Sequence, residues 1–216
     1  MASHHPPRPV GLVLAGGAGR RIGGRKEVRK LGGKALLDRA LDILEPQVAA
    51  IAVSVGEARR TDLAHGMPQL LDTVASRGPL GGLHAGLVWT RAFHASAPFL
   101  AVIPTDAPFL PATLIAQLAA AIGDVDAVVA AAADGSRSPV VGLFRPDLEA
   151  KLAAHLRSGA STAVEAFLAD QTVATVRIRA DPAIAALGID PLFNVNTPED
   201  LLRAEKLLQS GEKARR

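Results

Sequence analysis

Glycines and cations crowd one short stretch near the start of the chain. The run Leu14-Ala15-Gly16-Gly17-Ala18-Gly19-Arg20-Arg21 is followed by Ile22-Gly23-Gly24-Arg25-Lys26. Gly16, Gly17 and Gly19 let the backbone approach a ligand closely and adopt conformations closed to other residues. Backbone N–H groups in such a turn form a cradle for anions. Arg20 and Arg21 add forked donors that match phosphate oxygens, and Lys26 adds a third charge. The spacing is not that of a Walker loop, because Gly-Lys-Ser/Thr does not follow at the right distance. Nor is it the G-x-G-x-x-G dinucleotide fingerprint. Taken alone the loop indicates phosphate binding, against the plainer alternative of a solvated basic turn.

Other groups gather at the ends of apolar runs. Asp106 closes the run at 99–103 in Pro104-Thr105-Asp106; its spacing fits a magnesium-holding carboxylate and a turn aspartate equally. Asp72 closes another short run and, taken alone, reads as a turn residue. Gly78-Pro79-Leu80-Gly81-Gly82 opens a helical pattern and could admit a flat base, or be no more than a flexible loop. His65, His84, His94 and His155 lack metal-ligand spacing. Ser161-Thr162 reads as a helix cap rather than a nucleophile, and Trp89 as a residue packed on a helix face.

These residues need a frame. Apolar or alternating runs at 10–14, 50–55, 69–71, 99–103, 127–132, 140–144 and 173–178 read as strands. Helical spacing appears at 35–44, 79–93, 110–122, 148–157 and 162–169. Thr162 and Glu165 have capping-box spacing. Thr197-Pro198-Glu199-Asp200 is a helix start with a capping threonine, proline in the first position and acids in the first turn. Strands alternating with helices predict an α/β fold: a Rossmann-like three-layer α/β/α sandwich around a mainly parallel twisted sheet. Ligands of such sheets lie outside the carboxyl ends of the strands, where Gly16, Asp72 and Asp106 fall on this reading.

Composition bounds the alternatives. The 216 residues are 49% hydrophobic, enough for one substantial core. A single domain over 9–209 is expected, with a disordered arm at 1–8 and a frayed tail at 210–216. No cysteine is present, which excludes thiolate metal sites and cysteine catalysis and is compatible with a reducing cytosol. The N-terminus lacks the pattern of a signal peptide, so the expected compartment is the cytoplasm. Residues 114–133 form the most apolar stretch, but Gln117, Asp124 and Asp126 interrupt it; helix, turn and buried strand explain it better than a membrane span. A net charge of +3 with 3% aromatics argues against nucleic-acid binding and suits a phosphate-rich small substrate.

At these motifs the sequence resembles the molybdenum cofactor guanylyltransferases, the MobA-type nucleotidyltransferases. The family opens with a strand, Leu-Ala-Gly-Gly-x-x-x-Arg-Met/Ile-Gly-Gly, an acid-lysine step and Gly-Lys/Arg-Pro-Leu. Here these read Leu14 to Gly24, Arg25-Lys26, and Gly33-Lys34-Ala35-Leu36. The likeness continues through Asp72, through Gly78 to Gly82, through Pro104 to Pro111, at Ser138-Pro139, and from Phe193 to Asp200. It spans almost the whole chain.

The resemblance implies a nucleotide-diphospho-sugar-transferase type of fold. It implies transfer of GMP from GTP to the phosphate of molybdenum-bound molybdopterin, with release of pyrophosphate and Mg2+ as the metal. Lys26, Arg21 and Asp106 would be catalytic, and Asp106 would hold the metal. Leu14, Ala15, Gly16, Gly17, Arg20, Lys26, Ser54, Asp72, Gly78, Pro79, Leu80, Gly81, Asp106, Asn194 and Asn196 would bind substrate. Molybdenum-insertion proteins or target molybdoenzymes would be its protein partners. The sequence departs from the family pattern in two places: Arg25 stands where an acid precedes the signature lysine, and Ala35 stands where a proline is usual. Cytidylyl transfer to the same cofactor is the nearest alternative; such relatives carry Leu-Ala-Ala-Gly and a late aspartate pair. A sugar-phosphate or terpenoid-precursor nucleotidyltransferase shares the core. A non-catalytic cofactor-binding homologue is the reading of another class, motivated by Arg25 and opposed by Lys26 and Asp106.

Overall fold

A strand covered by helices on both faces is apolar along almost its whole length, as are the central strands that lead to Gly16 and Asp106. The computed structural model describes residues 8–16, 26–61, 63, 66–74 and 78–214. Its strands are β1 (Val10–Leu14), β2 (Lys30–Leu31), β3 (Lys34–Ala35), β4 (Ile51–Ser54), β5 (Gln69–Leu70), β6 (Leu100–Pro104), β7 (Ala127–Ala131), β8 (Arg137–Phe144) and β9 (Val173–Arg177). Every residue of β1, β4, β6 and β7 is buried. The helices are α1 (Leu36–Leu44), α2 (Pro79–Phe93), α3 (Leu114–Ala119), α4 (Leu148–Arg157), α5 (Val164–Leu168), α6 (Pro182–Ala185) and α7 (Pro198–Ala214).

Seven strands form one sheet in the order β5-β4-β1-β6-β8-β7-β9. β1 pairs in parallel with β4 and β6, β4 with β5, and β7 with β9. β8 alone runs the other way, antiparallel to β6 and β7. Side chains alternate across this sheet with period two. Val13, Ile103, Val128 and Ala130 pack on one face with Leu37, Leu41 and Leu44 of α1 and Leu114 and Leu118 of α3. Leu12, Leu14, Val102 and Val129 pack on the other with α2, α4 and α5. These are the three predicted layers. A smaller third core joins Leu31, Leu36, Phe109, Ile189, Val195 and Ala204, and ties α7 to the β2–β3 hairpin. That hairpin was not anticipated from the sequence. Gly32 and Gly33 both have positive φ, 56° and 75°, as a two-residue hairpin of the primed type needs.

Four local expectations change. The helix expected over 110–122 shrinks to α3: the Leu114 N–H bonds Pro111 O as a turn, and beyond Ala119 the chain tightens into i→i+3 bonds, Ala121 to Leu118 and Ile122 to Ala119. The Thr162–Glu165 box does not form. The residue capping α5 is Ala163, with no side-chain cap. β8 begins at Arg137 rather than 140 and takes in Pro139. As β7 advances from Val129 to Ala130 its partner jumps from Gly142 to Ser138, so residues 139–141 bulge where Pro139 has no N–H to give to the ladder. Finally, α7 is helical through Ser210 to Ala214, where a frayed tail was expected. Residues 114–133 form α3, a turn and β7 as predicted, and among the described residues no helix is long and apolar enough to cross a membrane.

Candidate active site

A cavity of about 940 Å³ opens at the carboxyl ends of β1, β4, β5 and β6. Leu14, Ala15, Gly16, Lys26, Ser54, Asp72, Gly78, Pro79, Asp106, Asn194 and Asn196 border it. The strand order explains the convergence. β1 lies between β4 and β6, so residues just beyond these strands emerge side by side. Gly16 sits where the chain leaving β1 touches the turn after β4; a Cβ there would lie 2.8 Å from Gly56 N. Gly17, Arg20, Arg21 and Arg25 lie outside the described residues, as does His65. Leu80 and Gly81 do not border the cavity. Leu80 is fully buried in the core beneath α2, while Gly81 backs onto Asp72, whose Oδ2 would be 2.9 Å from an added Cβ. Gly82 borders the cavity instead.

Lys26 occupies the centre of a polar relay. It begins a single 3-10 turn, Lys26–Val28. Its Nζ donates to Asp106 Oδ2 at 2.8 Å and to Asn196 Oδ1 at 2.8 Å. The two partners are 80 and 170 residues away in sequence. The Lys26 and Asp106 side chains are 14% and 25% exposed, so the charges are screened less than on an open surface. Asp106 is fixed through its backbone as well, its carbonyl accepting the Val195 N–H at 2.8 Å. Asn194 is exposed at the rim.

A second cluster lies on the other flank of β1. The Ser54 hydroxyl donates to Asp72 Oδ1 over a long 3.4 Å, and the Asp72 N–H is held by Gly56 O at 2.8 Å. Burial pushes the Asp72 carboxyl above the usual range; the Ser54 hydrogen bond works against this and the nearby Glu57 charge adds to it. A Cβ on Gly82 would come 2.5 Å from Ser54 Oγ and 2.9 Å from Leu14 Cδ2.

Two bordering side chains carried no spacing signal. Glu27 is only 2% exposed, and its Oε1 lies 2.6 Å from Arg60 Nη2. This is a charge contact rather than an aligned hydrogen bond, since among the described residues that oxygen has no hydrogen-bond partner. The pair joins the turn carrying Lys26 to the loop after β4. The one available hint was an acid directly after the lysine where the family places one before it. Val140, from the β8 bulge, completes the wall on the far side of β6.

Among the described residues no group of three or more His, Cys, Asp or Glu is placed to hold a metal. His84 is spoken for by Thr73 Oγ1 at 2.6 Å and Glu149 Oε1 at 3.3 Å, and His155 by Ser161 O at 2.9 Å. What the cavity offers a cation is oxygen: the Asp106 carboxylate, whose Oδ2 also takes the Lys26 ammonium, and the Asn194 carboxamide at the rim. That donor set fits a hard ion which takes its remaining ligands from phosphates and water.

The chain matches the MobA-like NTP transferase domain over residues 11–175. A molybdenum cofactor guanylyltransferase of Rhizobium johnstonii is 37% identical over 202 residues, covering 93% of both chains. Molybdopterin-guanine dinucleotide biosynthesis protein A from Archaeoglobus fulgidus has the same fold, with a TM-score of 0.70 at 23% identity over 93% of this chain and 99% of that one. A Mycobacterium tuberculosis protein solved in complex with manganese superposes with a TM-score of 0.64 at 16% identity, over 92% and 98% of the two chains. The domain match, the full-length likeness and the shared architecture agree, and the chain belongs to the MobA-like nucleotidyltransferases, the family of the molybdenum cofactor guanylyltransferases.

Proposed function

We propose that the chain transfers GMP from GTP to the phosphate of molybdenum-bound molybdopterin. The observation that carries this reading is the Lys26 ammonium, held between Asp106 and Asn196 at the carboxyl ends of β1 and β6 in a chain similar over its length to guanylyltransferases. An oxygen of the acceptor phosphate attacks the α-phosphorus of GTP in line. The bond from that phosphorus to the bridging oxygen breaks, and pyrophosphate leaves with the electron pair. Negative charge builds on the α-phosphate oxygens and the leaving group, so fixed positive charge and alignment supply most of the catalysis. Lys26 neutralises that charge, with Arg20 or Arg21 of the loop. The backbone of Leu14, Ala15 and Gly16 borders the nucleotide. Asp106 would hold Mg2+ together with triphosphate oxygens, and the ion, when bound, supplies further charge neutralisation on the departing pyrophosphate.

The strand order supports a division of labour. Asp72, after β5, and Asp106, after β6, flank β1 from opposite sides. The base belongs on the Ser54–Asp72 side, where a carboxylate can accept the ring N–H and amino group of guanine. The phosphates and acceptor belong on the Lys26–Asp106 side, towards Val140. Pyrophosphate release, measured with GTP, CTP or ATP in the presence of molybdopterin, tests the reading. GTP is expected to be the preferred donor. Preference for CTP overturns the guanylyl assignment, and no release with any nucleotide overturns the enzymatic one.

A further inference from the structure

Lys26 reaches only part of its geometry from its own turn. The rest comes from Asp106, after β6, and from the approach to α7, through Asn196. The Asp200 Oδ2 accepts the N–H groups of both Asn196 and Thr197, each at 2.9 Å, and the Asp200 N–H returns to Thr197 Oγ1 at 3.1 Å. This is a reciprocal capping box with an aspartate in the place of the usual glutamate. It fixes the backbone of the one residue whose carboxamide oxygen receives the Lys26 ammonium. On the other side Val195 is locked by its N–H bond to Asp106 O, and its side chain is fully buried in the third core. Asn196 is thus held from both neighbours, and Asp200 is behind it rather than on the cavity wall.

We propose that Asp200 is a positioning residue for the transfer reaction, acting through Asn196 to hold the Lys26 ammonium at Asp106. The inference rests on the role given to Lys26 above. Charge supports what the hydrogen bonds show. Burial works to raise the Asp200 pKa, yet the hydrogen bonds from Asn196 and Thr197, with the nearby Lys26 charge, more than offset it and hold the carboxyl below its usual range. A carboxylate that stays ionised keeps both N–H groups oriented and adds a remote attraction for the ammonium. An asparagine in its place keeps an acceptor oxygen and loses the charge. An alanine loses both.

The test combines kinetics with a readout of the ammonium itself. In Asp200→Ala, kcat is expected to fall about tenfold through lost alignment, with the KM for GTP changed much less. Asp200→Asn, which keeps the acceptor, recovers most of that loss. In a Lys26→Ala background, Asp200→Ala costs nothing further in kcat, because the group it positions is gone. The 15N signal of the Lys26 ammonium, identified by its loss in Lys26→Ala, is expected to broaden in Asp200→Ala and persist in Asp200→Asn. If the effects of Lys26→Ala and Asp200→Ala on kcat simply multiply, or if folded Asp200→Ala keeps wild-type kcat and an unchanged ammonium signal, the inference is overturned. Should Asp200→Ala not fold, Asp200→Ser decides: its single, shorter hydroxyl cannot hold both N–H groups, so its kcat must fall and its ammonium signal broaden, and wild-type behaviour overturns the inference. If wild type transfers no nucleotide, the functional reading falls while the NMR comparison still judges the positioning role.

Discussion

Lys26 carries the most weight of any single side chain, because three distant parts of the chain meet at its ammonium. Lys26→Ala is expected to lower kcat by about 100-fold, the scale of losing one fixed charge-stabilising group, and steady-state pyrophosphate release checks it. Asp72 makes a different prediction. An acid whose pKa rises on folding binds its proton more tightly when folded. Its contribution favours the folded state at low pH and turns unfavourable as the pH rises through the raised value. At neutral pH the ionised Asp72 therefore costs stability. Asp72→Asn keeps an acceptor for the Ser54 hydroxyl, so it is expected to melt higher than wild type at pH 7. The gap should close as the pH falls to the ordinary carboxylate range, about 3.9. Melting curves across that window check the sign, and the same variant is expected to raise the KM for GTP. At this scale much of the site was legible. Lys26, Ser54, Asp72, Asp106, Asn194 and Asn196 all border one cavity; Lys26 follows the glycine-rich loop and Asp72 and Asp106 end apolar runs, whereas Ser54, inside a run, and Asn194 and Asn196 were suggested by the family resemblance alone. Glu27 and Arg60 were not legible. A buried ion pair between a turn and a distant loop leaves no periodicity in either segment.

At the scale of elements, α2 shows how one helix serves both the core and the site. Gly82 and Gly86 lie one turn apart on the same face, against successive parts of the sheet. A Cβ on Gly86 would come 2.6 Å from Leu12 Cδ2 and 2.8 Å from Leu100 Cδ2, deep in the core. A Cβ on Gly82 would push on Ser54 and Leu14 at the cavity. Both alanine variants gain helix propensity, about 1 kcal/mol, and both pay more for overpacking, about 1–3 kcal/mol. Denaturant titration is therefore expected to show net losses on the order of 1 kcal/mol for each. Kinetics are expected to separate them: Gly82→Ala raises the KM for GTP several-fold, and Gly86→Ala leaves it near wild type. The two capping signals make a similar contrast. Thr197 and Asp200 formed their box, and Thr162 and Glu165 did not, although their spacing is the same. The difference is tertiary. Val195 is drawn into the third core beside Ala204 of α7, which fixes where that helix must begin, whereas α5 starts after a stretch, 157–163, that is exposed along its length.

For the whole molecule, the sheet order decides what is rigid. β1 and β6 are paired on both sides and covered on both faces, and they deliver Leu14 and Asp106. β5 and β9 are the edges, and β9 is only partly buried. Amide exchange is expected to be slowest in β1 and β6 and faster in β9, where the outer side of the strand has no ladder partner. Exchange in β9 as slow as in β1 would show that its edge is covered in solution. The alternation of strands and helices was readable because the central strands β1, β4, β6 and β7 are buried, nearly unbroken apolar runs. The reversal of β8 was not, because a buried antiparallel strand presents the same apolar run; only Pro139 and its bulge mark it.

The link between Lys26 and Asn196 crosses 170 residues, and this sets a timetable for synthesis. A ribosome adding about 5–20 residues per second delivers Asn196 roughly 10 to 30 s after Lys26. All seven strands of the main sheet are complete by Arg177, so the frame can assemble on the nascent chain before the last support for its ammonium has been made. A growing polypeptide of this sequence can therefore hold a formed scaffold with an unfinished site, and Lys26 gains the support of Asn196 only once the segment leading into α7 has docked.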